Sequence, residues 1–127
     1  METTLSEIPV MFVRAEGPAG AKEAFAALEV KLTSLKGRRF YGTLYRGDYR
    51  ACVALEPGDD PGALGLETGA IPGGNYATAR VYDWQKNVEQ IHAAFKALQH
   101  GHDVDDSRPD VEFYRSSREL VCLLPIR

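Results

Sequence analysis

The chain has 127 residues, 44% hydrophobic and 26% charged, with a formal net charge of −3; that is one domain, able to bury roughly two thirds of its unfolded surface without a disulfide or metal staple. The acidic balance leaves no basic footprint for nucleic acid, and no apolar stretch nears the ~20 residues of a membrane span. With no basic leader ahead of an apolar run either, the expected setting is the cytoplasm, with no cofactor and with Cys52 and Cys122 as buried free thiols inside β-like runs.

IPVMFVRAE (8–16) is rich in β-branched and apolar residues and reads as a strand, punctuated by Gly17 and Pro18. From Ala19 to Lys36 the apolar residues Phe25, Leu28, Leu32 and Leu35 recur at steps of three, four and three, one stripe of an amphipathic helix that stops at Gly37. RRFYGTLYR (38–46) and DYRACVALE (48–56) follow as two strands around Gly47. The segment 57–70 has no periodicity and much Gly, Pro and Asp, and reads as a linker.

The order then repeats. NYATARVYD (75–83) reads as a strand, and from Trp84 to His100 a second stripe runs through Val88, Ile91, Phe95 and Leu98, with Asp83 as its N-cap and Gly101 as its stop. DVEFYR and ELVCLLPI supply two more strands. The chain is therefore expected to be a single α+β domain, residues 1–127, of two tandem strand-helix-strand-strand modules, about 8–56 and 71–127. An antiparallel sheet with pseudo-two-fold symmetry would carry the two helices.

Gly73-Gly74-Asn75-Tyr76-Ala77, the later Glu112-Phe113-Tyr114 and a terminal strand ending near Pro-Ile resemble the GyrI-like family, which includes the gyrase inhibitory protein and the effector-binding domains of multidrug-responsive bacterial regulators. RGDYRACVAL is similar to the family's strand in the first module. The resemblance covers most of the chain, is strongest from Leu66 to Ile126, and over the first 36 residues rests on the order of elements alone. It implies a ligand cleft between the modules, and in it the Glu of Glu-x-Tyr is the ligand's anionic partner. With no room for a DNA-binding domain, the chain resembles the stand-alone members.

Strand alternation puts Glu112 and Tyr114 on one face and Val111 and Phe113 on the other. Packing of Val111 and Phe113 on the helices would turn Glu112 to the opposite side, into the cleft. The same alternation groups Tyr41, Thr43 and Tyr45, and likewise Tyr76, Thr78, Arg80 and Tyr82. A carboxylate among tyrosines attracts a flat aromatic cation by ion pairing and cation–π contact. The expected ligand-binding set is Glu112, Tyr114, Tyr76, Tyr41, Tyr45 and Trp84, serving sensing or sequestration of small molecules. Each has a plainer alternative: a solvated strand carboxylate for Glu112, ordinary strand tyrosines, and a core-capping Trp84.

Some GyrI-like relatives hydrolyse cyclopropane-containing genotoxins, and for this second reading Glu112, Tyr114 and Trp84 are the candidate catalytic residues. A third reading, a partner protein that inhibits DNA gyrase by contact or acts with a regulator, also follows from the resemblance. HGHDVDD (100–106) offers His100, His102, Asp103, Asp105 and Asp106, but in a loop without metal-ligand spacing, so no metal site is expected. The glycine pair lacks the Lys-Ser/Thr of a phosphate loop and precedes a strand.

Overall fold

The computed structural model describes residues 1–127 as one curled antiparallel sheet of eight strands with helices on its outer face. The first module contributes β2 (Ile8–Ala15), α1 (Ala21–Glu29), β3 (Phe40–Tyr45) and β4 (Asp48–Ala54); the second contributes β6 (Gly74–Tyr82), α3 (Val88–Gly101), β7 (Asp110–Tyr114) and β8 (Glu119–Pro125). Two further strands precede the modules, β1 (Glu2–Leu5) and β5 (Glu67–Ile71), with a single-turn helix α2 (Pro61–Leu64) ahead of β5. The strand order is β1-β6-β8-β7-β3-β4-β2-β5. It reads the same from either end once modules are exchanged, so a pseudo-two-fold axis passes between β3 and β7.

This order explains the curl. β1 and β5 lie at opposite ends of the sheet, yet β1 runs into β2 through only Ser6 and Glu7, and β5 into β6 through only Pro72 and Gly73. Two residues span at most about 7 Å, so the ends of the sheet must come round to each other. Each module's leading strand thus pairs with the other module, β1 with β6 and β5 with β2. The two bent strands cross at Gly73, where an added Cβ would stand 2.9 Å from the Leu5 carbonyl oxygen and 3.0 Å from the Glu7 nitrogen. Only glycine allows that approach.

Arg108 ties the crossing down. Its guanidinium donates to the carbonyls of Gly73 (3.4 Å), Asn75 (3.1 Å) and Ile126 (2.7 Å), pairs with Asp105 at 2.9 Å, and lies 4.9 Å over the Tyr76 ring. Tyr76 donates its hydroxyl to the Pro72 carbonyl at 2.6 Å. Part of the acidic loop is therefore committed to structure: Asp105 takes Arg108 and Ser107, Asp103 meets Arg127 at 3.0 Å, and the His102 ring contacts the Leu98 carbonyl at 3.0 Å.

The concave face closes on itself. Val10, Phe12, Tyr41, Cys52, Ala54, Ile71, Tyr76, Val111 and Leu123 form a core inside the curl, with Phe113 packed against it. On the convex face α1 covers Met11, Ala51 and Val53 through Ala24 and Leu28, and α3 covers Ala77, Leu120, Cys122 and Leu124 through Ile91 and Leu98. Cys52 and Cys122, both buried and free, thus lie on opposite faces of the sheet.

Several expectations change. The first helix stops at Glu29 rather than Lys36: the chain tightens into turns at Lys31 and Leu32, Thr33 and Ser34 are poor helix formers, and Leu35 remains exposed. The second helix begins at Val88, after a 3-10 turn at Trp84–Lys86. Asp83 does not cap it; the residue sits at φ 52° and its side chain meets Arg118 at 3.4 Å. Segment 57–70, read as a linker, holds α2 and most of β5. Within it, Asp59 forms a two-point pair with Arg38 at 2.8 and 3.0 Å.

Arg108→Ala should lower unfolding stability by about 3 kcal/mol, since hydrogen bonds to a charged group contribute roughly 1.5–3 kcal/mol each but solvent partly replaces those lost. Arg108→Lys should recover less than half of it, because an ammonium cannot fork to three carbonyls. Equilibrium denaturation in urea checks both.

Candidate functional site

α1 packs on β2 and β4, and α3 on β6 and β8, which leaves the central pair β3–β7 as the floor of a groove between the helices. The residues that β3 and β7 turn to this face are Phe40, Gly42 and Leu44 on one strand and Asp110, Glu112 and Tyr114 on the other. The helices therefore sit on the Glu112 face, not on the Val111–Phe113 face as expected. The reason is the curl: Val111 and Phe113 find their packing partners across the concave interior and need no helix.

Glu112 bends across the floor. Its register partner on β3 is Gly42, and from the next row of β4, opposite Leu44, Tyr49 reaches diagonally over Gly42 to meet it. The Glu112 Oε1 accepts the hydroxyl of Tyr49 at 2.6 Å and that of Tyr114 at 2.8 Å, and the two hydroxyls lie 3.3 Å apart. A Cβ on Gly42 would overlap the Tyr49 hydroxyl and Glu112 Oε1, and would stand 2.9 Å from Tyr49 Cζ. A glycine inside a strand often marks such a close approach. Both hydrogen bonds fall on Oε1; Oε2 has no protein donor and is not sealed from solvent.

Aromatic rings enclose this carboxylate. Phe25 of α1 meets Tyr114 edge-on at 5.0 Å and Tyr49 at 6.4 Å, and Trp84, from the turn leading into α3, meets Tyr114 edge-on at 5.0 Å. Trp84 is held by its Nε1, which donates to the Ser116 carbonyl at 3.2 Å. No lysine or arginine pairs with Glu112.

Burial pushes the Glu112 carboxyl above the usual carboxylate range, opposed by the hydrogen bonds from Tyr49 and Tyr114. Burial and the Glu112 charge push both tyrosine hydroxyls far upward, which keeps them protonated as donors. Asp110, half-buried on the same strand face, is pushed up to about 6 by burial, by Glu112 and by Asp106. Cys122, the register partner of Glu112 on β8, is raised to about 12 by burial, Glu112 and Asp110.

Of the six residues expected to line a ligand cleft, Glu112, Tyr114 and Trp84 come together here. Tyr41, Tyr45 and Tyr76 do not join them. Tyr41 stacks on Phe113 at 4.9 Å inside the curl, and Tyr76 is the fully buried residue beneath Arg108. Tyr45 lines a separate cleft of about 150 Å³ on the concave side with Thr43, Arg50 and Cys52. Tyr49, Gly42, Phe25 and Asp110 were not foreseen. The signals for them were a glycine in mid-strand, Phe25 on the helical stripe, and the i, i+2 spacing of Asp110 with Glu112.

No protein-family model matches the sequence, and no curated protein matches it. The fold does have counterparts among solved structures. An integron cassette protein from the mobile metagenome of Vibrio cholerae superposes with a TM-score of 0.75 at 14% identity, over 100% of this chain and 95% of the other. The protein SAV2435, solved bound to tetraphenylphosphonium, superposes with a TM-score of 0.60 at 13% identity over 100% and 93%. A hydrolase from Listeria innocua gives 0.63 at 12% over 100% and 90%. At these identities the likeness is one of fold.

Gly42→Ala should destabilise the protein by roughly 1–3 kcal/mol, the usual range for overpacking, and should separate Tyr49 from Glu112; urea denaturation measures the first. Asp110 supplies a pH test. Its folded value near 6 lies above its ordinary 3.8, so its contribution to stability is complete below about 3.8 and is lost as pH rises through 6. Asp110→Asn should therefore match wild type in melting temperature near pH 4 and exceed it increasingly up to about pH 7, as followed by circular dichroism.

Proposed function

We propose that this chain is a GyrI-like small-molecule-binding protein that takes aromatic, lipophilic cations in the groove between α1 and α3 and serves to sense or sequester them. The observation that carries this reading is the free Oε2 of Glu112, a carboxylate oxygen without a cation inside an aromatic enclosure. A sheltered anion without a partner is unfavourable, and a ligand cation would answer it. Tyr114, Trp84 and Phe25 offer ring area to the apolar body of such a ligand, and Tyr49 fixes the carboxylate from below. The Gly-Gly-x-Tyr-Ala and Glu-x-Tyr elements support the family assignment, and a protein of the same fold was solved with tetraphenylphosphonium bound.

The second reading is a hydrolase. It draws on the raised proton affinity of Glu112, which suits a general acid or a base acting on water, with Tyr114 and Trp84 beside it. No nucleophile or metal ligand set accompanies Glu112, and the binding reading needs fewer groups.

Wild-type protein should bind tetraphenylphosphonium and leave its ligands unchanged, and Glu112→Gln should weaken binding by roughly 10- to 100-fold, about 1.4–2.8 kcal/mol. Calorimetric titration measures the affinity and mass spectrometry of the same mixtures detects any product. Equal affinity in both proteins overturns the anchor; a Glu112-dependent product among electrophilic ring compounds moves the protein to the enzymes.

A further inference from the structure

Sorting every carboxylate by shelter and partner isolates two. Glu7, Glu16, Glu23, Glu29, Asp60, Glu89 and Asp106 have no ion pair and are exposed. Those withdrawn from solvent are matched to cations: Asp48 with Arg50, Glu56 and Asp59 with Arg38, Asp105 with Arg108, Glu119 with Arg80. Asp110 and Glu112 alone are withdrawn and unmatched. They are also neighbours, two residues apart on one face of β7. Val111 enters the concave core, so strand alternation puts Asp110 on the groove side with Glu112. Asp110, unlike Glu112, has no side-chain hydrogen bond to the protein at all, whereas Glu112 is held by two tyrosine hydroxyls.

A strand advances roughly 3.3 Å per residue, so the two side chains leave the floor roughly 7 Å apart along the groove. We infer that the groove selects aromatic dications, with Glu112 taking one cationic centre among the rings and Asp110 taking the second farther along β7. This rests on the binding reading above and deepens it. The division of labour follows from the surroundings. Glu112 lies beside Tyr49, Tyr114 and Trp84, where an aromatic cation is held by charge and ring contact together. Asp110 lies two residues from Glu112 on the side away from Tyr114, where charge and hydrogen bonding dominate, so it adds most affinity for a ligand that brings a second cation. A monocation seated at Glu112 leaves Asp110 unanswered. A dication pairs with both carboxylates and removes their mutual repulsion.

The test pairs benzamidine with benzene-1,4-dicarboxamidine, which share a ring and differ by one amidinium. Both are titrated calorimetrically at about pH 7.5 into wild type, Asp110→Asn and Glu112→Gln. Wild type should prefer the dication by at least roughly tenfold. Asp110→Asn should lose most of that preference, weakening the dication roughly tenfold more than it weakens benzamidine, because a monocation at Glu112 feels Asp110 only at a distance, and Glu112→Gln should weaken both. If Asp110→Asn weakens both probes alike, or neither, while Glu112→Gln still weakens benzamidine, the dication inference is overturned and the cation-binding reading stands. If wild type binds neither probe nor tetraphenylphosphonium, both are overturned.

Discussion

The hydrogen-bonded triangle of Glu112, Tyr49 and Tyr114 organises the centre of this molecule. It ties two strands together across a third, since Glu112 and Tyr114 belong to β7 and Tyr49 to β4, and it reaches across β3 only because position 42 has no side chain. The carboxylate cannot withdraw without abandoning two donors, and the donors cannot ionise beside it. The result is one fixed oxygen and one free oxygen. A flexible surface glutamate has neither property, because its rotamer freedom would have to be lost on binding.

The pseudo-two-fold arrangement explains why such a site lies where it does. Each helix packs over its own module's outer strands, and the modules meet at the β3–β7 ladder. Neither helix packs chiefly on that seam, so the floor can carry polar groups that a full apolar helix face would otherwise cover. Phe25 and Trp84 reach over the seam from the two sides and moderate its exposure. Shelter without closure raises the proton affinity of Glu112 and still leaves Oε2 within reach.

Much of this was legible from the chain alone. Alternation and 3.6-residue stripes located the two helices and six of the eight strands, and the Glu-x-Tyr spacing correctly put Glu112 and Tyr114 on one face. What alternation cannot say is which face the helices take. That depended on the curl, which depends on β1 and β5, and those are short strands whose identity comes from pairing with the other module rather than from their own residues. The helix ends were missed for a related reason. The stripe of Phe25, Leu28, Leu32 and Leu35 continues past the point at which the sheet beneath still offers a surface, and Leu35 has nothing to pack on. Tyr49 and Gly42 were illegible as site residues because the register that brings them under Glu112 is set by two ladders between distant segments.

The glycine pair makes a complementary point about motifs. Gly73 permits two backbone segments to cross, and Gly74 accepts φ +132° where a Cβ would collide with the Arg108 guanidinium. Tyr76, three residues after Gly73, is consumed by the same crossing, its hydroxyl on Pro72 and its ring under Arg108. So the Gly-Gly-x-Tyr-Ala element is architecture: it closes the curl and thereby turns Glu112 toward the helices. The Glu-x-Tyr element carries the chemistry. A chain that kept the first and lost the second would hold the same groove with no anion in it, whereas one that kept only the second would have a carboxylate on a sheet with no reason to curl. The site needs both because the position of its charge is a consequence of how the two ends of the sheet are joined.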